Sequence, residues 1–217
     1  MVTTLVATSE PGSNGFVLNI TILCIGSRGD VQPYIALASG LASAGHTVQI
    51  ASVEHFRPLV EGHGVAFRPI RGDVAAMLAS PAARDVMNSG WNTARAVFNL
   101  VEMARPVLHE MADDCWDICR DSDTDLIITS LLGVFAVPIG MKLGIPVVQA
   151  LAFPMHSPTR AFPSPIWPIP WRLGGWYNRQ TYTLTWQVAW QAIRPFINPW
   201  MQRTLGLDPY SLTGPYT

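Results

Sequence analysis

The chain has 217 residues, enough for one well-cored α/β domain and short for two. Hydrophobic residues make up 49% and charged residues only 13%, against about 25% charged in an ordinary soluble domain, so some surface is expected to be covered by something outside this chain. The net charge of −1 gives no footprint for nucleic acid, and three cysteines (Cys24, Cys115, Cys119) without framework spacing suit a reducing cytoplasm.

Residues 1–17 are rich in Ser, Thr and Gly and read as a loose leader. No basic residue precedes their first apolar patch, so they do not read as a secretory signal. No run reaches the roughly 18 apolar residues of a membrane span. The expected location is therefore cytoplasmic. Residues 18–25 form an apolar, β-branched run that reads as a strand buried on both faces. Gly26-Ser27-Arg28-Gly29-Asp30 follows as a tight turn, with Pro33 in the first turn of a helix over 34–44 and Gly45 as its stop. Strands are predicted at 47–52 and 65–70, with a short helix over 55–63 between them. Pro69 marks the third strand as an edge or an early end.

Asp73 opens a short helical stretch through Leu78, and residues 92–120 form a long helix with a bend expected at Pro106. Residues 125–130 are the fourth strand, 132–143 a helix stopped by Gly144, and 145–151 the fifth strand. Residues 153–176 are dense in proline and aromatics, and so long a loop inside a compact domain is usually functional. Residues 177–204 are a last helix, with interruptions expected near Pro195 and Pro199, and 206–217 read as the start of a linker. The fold class is α/β, a doubly wound, Rossmann-like parallel sheet flanked by helices, in which ligands gather beyond the carboxyl ends of the strands.

That rule places Asp30, Ser130, Leu131 and Phe153 around one cleft. A carboxylate there can accept a proton from a bound hydroxyl; the alternative is that Asp30 caps the helix or bonds turn amides. Gly26 and Gly29 shape the turn, and Arg28 is read as solvated or ion-paired, with a leaving anion as the functional alternative. The spacing of these glycines is not G-x-G-x-x-G, which disfavours a dinucleotide with Glu54 at its ribose. His46 reads as a structural bond to the helix end. His55, His63, His109 and His156 have no metal spacing, and His156 is a candidate ligand contact in the aromatic segment. Cys115 and Cys119 share a helix face and read as core, so no metal is expected. Trp186, Trp190, Ile193, Ile197 and Trp200 form one stripe, either core or the seat of a partner domain. Trp167, Trp171 and Trp176 are harder to bury, and mark the entrance to a binding pocket or a touch-point with a bilayer.

Gly26-Ser27-Arg28-Gly29-Asp30-Val31-Gln32-Pro33-Tyr34 and Ala44-Gly45-His46-Thr47-Val48 resemble the N-terminal domain of family 28 glycosyltransferases, nearest the sterol glucosyltransferase branch. His55-Phe56, Gly72-Asp73, Thr159-Arg160-Ala161-Phe162-Pro163 and Tyr177-Asn178 continue the match in order, from about Leu18 to Pro209. The resemblance implies a GT-B architecture whose N-terminal half, residues 18–205 here, binds an acceptor. A C-terminal half, in cis or in trans, would hold the nucleotide sugar. Its His- and Gly-rich diphosphate motif is not found in this sequence. The implied reaction is inverting transfer of a hexose from UDP-glucose, as co-substrate without a cofactor, to a sterol, lipid or other apolar alcohol. Asp30 takes the role of the family's base, and Trp167, Trp171 and His156 join the acceptor contacts. The alternative is a non-catalytic acceptor-binding module, or one chain of a split enzyme.

Overall fold

A computed structural model of the chain describes residues 16–72, 77, 79, 81, 93–130, 134–151, 158–167, 171 and 173–214. The helical stretch expected from Asp73, and most of the leader, lie outside the described residues. The elements run β1 (Asn19–Leu23), α1 (Arg28–Ser43), β2 (Thr47–Val53), a 3-10 turn (Glu54–Phe56), α2 (Arg57–Glu61) and β3 (Ala66–Ile70). They continue through α3 (Thr93–Asp121), β4 (Leu126–Thr129), α4 (Ala136–Leu143), β5 (Val147–Gln149), α5 (Gly175–Trp200) and a π-helical turn (Met201–Leu205).

The strands form a parallel sheet in the order β3-β2-β1-β4-β5, so β1 lies at the centre and its two neighbours lead away in opposite directions. Ile22 pairs with Ile50 on one side and Ile128 on the other. Alternate residues of β1 feed two cores. Ile20 and Ile22 point to the layer of Val31, Tyr34, Ile35 and Ala38 on α1. Leu23 points to the layer of Met111, Cys115 and Cys119 on α3 and Trp190, Ile197 and Trp200 on α5. Burial on both faces is why these strands read as continuous apolar runs. β3 is an edge strand, as Pro69 indicates, because a proline withholds a ladder donor. Gly45, Gly64 and Gly144 follow their helices at φ +94°, +73° and +71°, the left-handed region that ends a helix with little strain when the residue is glycine.

Two local expectations are corrected. Helix α1 begins at Arg28, not after Pro33, because Ser27 and Asp30 bond each other and close the first turn. Pro33 then sits inside the helix, where it withholds the N–H that Gly29 C=O would otherwise accept and its ring crowds that carbonyl. Helix α5 runs unbroken through Pro195, and the chain departs from α-helical form only after Pro199, in the π-helical turn. Burial of Phe196, Ile197 and Trp200 holds that stretch in place, and the Trp200 indole N–H donates to Asp113 Oδ1 of α3 at 2.8 Å. The tryptophan stripe is thus core at Trp190, Ile197 and Trp200, with Ile193 packed against it. Cys115 and Cys119 are buried free thiols in the same core.

Candidate functional site

Strand order reverses at β1 and β4, and in an open α/β sheet the crevice beyond the carboxyl ends of the strands at such a point is the usual ligand position. β1 leads through buried Cys24 and Ile25 into Gly26, whose φ of +145° turns the chain sharply into α1. Ser27 is the N-cap of α1 and Asp30 is its third residue. The Ser27 backbone N–H and its hydroxyl both donate to Asp30 Oδ2 at 2.8 Å, and the Asp30 N–H returns to Ser27 C=O at 2.9 Å. Both side-chain bonds fall on one carboxylate oxygen. Asp30 is only partly buried, and a carboxylate in a first turn also faces the positive end of the helix dipole. Arg28 and Gly29 are exposed beside it.

Gly26 is confined by this carboxylate: a Cβ there would lie 2.5 Å from Asp30 Oδ2. The sequence shows that the turn needs glycine, but the reason is tertiary contact as well as backbone angle. Beneath the turn, burial pushes the Cys24 thiol up to about 12, and the Asp30 charge adds to the effect. Cys24 is therefore an uncharged core residue beneath the turn.

Ser130 ends β4 next to this turn. Its hydroxyl accepts the Ile25 N–H at 3.4 Å and its own N–H donates to Leu23 C=O at 3.1 Å. At 3% exposure it ties the two strand ends together. Tyr34, one turn past Asp30 on α1, donates its hydroxyl to Ala150 C=O, just beyond β5. Sequence reasoning missed Tyr34. The only local signal is a phenol at i+4 from Asp30 on an otherwise apolar face. Its effect is to fix the end of β5 against the helix that carries Asp30.

Leu131, Phe153 and His156 lie outside the described residues. Trp167 and Trp171 form a separate group: the Trp167 indole N–H donates to Tyr177 Oη at 2.9 Å, and the Trp171 ring lies 6.3 Å from the Tyr177 ring. That group sits at the start of α5. Trp171 is exposed and Trp167 half-buried. His46 departs from its expected place, because its Nδ1 accepts the Leu18 N–H at 3.4 Å, at the entry to β1, instead of bonding the helix end. The backbone N–H of His46 takes that role, donating to Leu41 C=O. Both carboxylate oxygens of Glu54 are held by Arg57, at 2.6 and 3.0 Å, which removes the group that a dinucleotide ribose would use at this strand end.

Residues 20–154 match the family model of the glycosyltransferase family 28 N-terminal domain. The chain belongs to that family. Among curated relatives of this family 28 chain, the sterol 3-beta-glucosyltransferase of Cryptococcus neoformans var. neoformans serotype D (strain JEC21) is 37% identical over 191 residues. The match covers 88% of this chain and 12% of the relative. The sterol 3-beta-glucosyltransferase of Aspergillus fumigatus is 37% identical over 195 residues, covering 90% of this chain and 13% of the relative. The chain thus spans about an eighth of the length of those two relatives. Among solved structures, the glycosyltransferase SnogD from Streptomyces nogalater aligns with a TM-score of 0.56 at 16% identity, over 89% of this chain and 44% of its own. The spinosyn rhamnosyltransferase SpnG aligns with a TM-score of 0.56 at 13% identity, over 92% and 43%. At such identities the likeness concerns the fold, which is that of the N-terminal, Rossmann-like half of a GT-B glycosyltransferase.

Proposed function

We propose that this family 28 chain is the acceptor-binding half of an inverting glycosyltransferase that uses UDP-glucose and glycosylates a sterol or another apolar alcohol. The observation that carries the reading is the Asp30 carboxylate at the β1–β4 crevice, oriented through Oδ2 by two Ser27 donors. The sterol glucosyltransferase names of the curated relatives support the acceptor class. In this reading the acceptor hydroxyl lies within hydrogen-bond reach of Asp30. Its oxygen attacks the anomeric carbon, the carbon–oxygen bond to the diphosphate breaks, and the proton passes to Asp30 while the electron pair leaves on the diphosphate. Attack from the face opposite the leaving group inverts the anomeric centre. A donor-binding domain, in cis or in trans, holds the nucleotide sugar, and Leu131, Phe153, His156 and the tryptophans at α5 face the acceptor.

The test joins this chain to the donor-binding domain of a related enzyme and follows sterol glucoside and UDP by mass spectrometry. Wild type is expected to form product, and Asp30→Asn to lose about 10²–10⁴-fold in turnover, the range general base catalysis supplies. The amide oxygen can still accept from Ser27, so stability should change by less than about 1 kcal/mol. Near-normal turnover by Asp30→Asn would sink the base assignment.

The capping bonds favour one second reading, a non-catalytic acceptor-binding module or one chain of a split enzyme, because they give Asp30 a structural reason to be where it is. If the chain is a non-catalytic module, the joined protein binds sterol but forms no glucoside with or without Asp30; if it is one chain of a split enzyme, it forms glucoside once a donor-binding domain is supplied, joined or as a separate chain.

A further inference from the structure

The two oxygens of the Asp30 carboxylate are not equivalent. Oδ2 takes both Ser27 donors, the backbone N–H and the hydroxyl, each at 2.8 Å. Oδ2 is also the oxygen set against Gly26, where an added Cβ would lie 2.5 Å from it. Among the described residues, none donates to Oδ1. Ser27 and Asp30 stand three residues apart across the first turn of α1, so this asymmetry is fixed by local backbone and needs no distant segment.

A carboxylate oxygen offers about two lone-pair directions to donors. Those of Oδ2 are occupied, so a proton arriving there must displace a Ser27 bond. Oδ1 has no such competitor. When a proton lands on Oδ1, Oδ2 becomes the carbonyl oxygen of a neutral acid and still accepts both Ser27 bonds, so the turn has nothing to reorganise. The hydroxyl bond has a second effect. The terminal torsion of an aspartate is broad, and one backbone donor alone leaves the carboxylate plane free to turn about Cβ–Cγ. Two donors converging on one oxygen from the same residue restrict that rotation.

We propose that Ser27 is a positioning residue: its hydroxyl fixes the Asp30 carboxylate so that Oδ1, and not Oδ2, takes the proton of the acceptor hydroxyl. This rests on the transferase reading above. In the transfer step the acceptor O–H bond breaks and its proton passes to Oδ1. The acceptor oxygen forms the bond to the anomeric carbon, and the electron pair of the broken carbon–oxygen bond leaves on the diphosphate. Ser27 neither gains nor loses a proton; it acts only through the orientation of Asp30.

The experiment measures kcat and acceptor KM of the chain joined to a donor-binding domain, for wild type, Asp30→Asn, Ser27→Ala and Ser27→Thr, with the fold of each verified by circular dichroism. Ser27→Ala keeps the backbone bond to Oδ2 and loses the hydroxyl bond. Its kcat should fall about 10–100-fold, the scale of a slightly misplaced catalytic group, with KM within about twofold of wild type. Ser27→Thr retains the hydroxyl, and its branched Cβ suits the extended backbone of residue 27 (φ −82°, ψ 176°), so kcat should return close to the wild-type value. A capping role alone would lower the melting temperature of Ser27→Ala and leave its kcat unchanged. Wild-type kcat in that variant, while Asp30→Asn is impaired, would overturn the inference and leave the base assignment standing. An unchanged kcat with a raised KM would overturn it too, since Ser27 would then bind substrate directly. So would a threonine variant no more active than the alanine one. Near-normal turnover by Asp30→Asn, or an inactive joined wild type, would remove the transferase reading and this inference with it.

Discussion

Replacing Gly26 with alanine tests the central contact of the site. The glycine has φ +145°, where an L side chain is strained by about 1–3 kcal/mol. A Cβ at this position would also lie 2.5 Å from Oδ2, 2.8 Å from Cγ and 2.9 Å from Cβ of Asp30, all closer than atoms can approach. The carboxylate must swing away and give up the two Ser27 bonds, each worth about 0.5–1.5 kcal/mol. Both bonds are exposed, so the lower end applies and the expected loss is about 2–4 kcal/mol, a large share of the roughly 5–15 kcal/mol of a whole domain. Asp30→Gly removes all three obstructing atoms, at a cost of about 2 kcal/mol from the lost cap and the glycine in the first turn. In the double variant the added methyl group no longer meets a carboxylate, and only the backbone strain at position 26 remains. The four proteins should therefore show a coupling of about 1–2 kcal/mol in urea unfolding followed by circular dichroism with unchanged m-values. Additive effects, within about 0.5 kcal/mol, would mean that the carboxylate does not sit against Gly26 and would refute the geometry on which the candidate site is built.

Tyr34→Phe removes the hydroxyl that ties α1 to Ala150 C=O, and should cost about 1 kcal/mol while raising amide exchange at Val147–Ala150 and leaving β2 unchanged. Unaltered exchange at the end of β5 would refute the tether. His109 lies half-buried with its ring 4.6 Å from Phe196, and burial, reinforced by the nearby Arg203, holds its pKa below the ordinary 6.5. Folding thus favours the neutral ring. This contribution is fully present above the unfolded pKa, near 6.5, and is lost as pH falls through the lower folded value. His109→Gln should flatten that part of the melting-temperature profile between about pH 7 and pH 5, and an unchanged slope would show that the ring is not desolvated.

The central part of the fold was legible because its signals are local. Runs such as Ile20–Leu23 and Leu126–Thr129 are apolar enough to be buried strands, and glycines at 45, 64 and 144 stop helices through their own backbone angles. The start of α1 was misplaced because Pro33 is a stronger sequence signal than the Ser27–Asp30 pair, yet the pair closes the first turn. Pro195 was misread for a related reason: packing of Phe196, Ile197 and Trp200 outweighs one missing backbone hydrogen bond.

By itself, the sequence determined the succession of strands and helices and the glycine turn carrying a carboxylate, since each depends on a few neighbouring residues. Only the tertiary structure decided that β1 and β4 adjoin, so that Ser130 meets Ile25 across more than a hundred residues of chain. The same holds for the tie between Tyr34 and Ala150, and for which tryptophans are core and which stand in solvent. Strand pairing and burial depend on the surface that a distant segment brings, and periodicity records only that an apolar face exists, not what covers it.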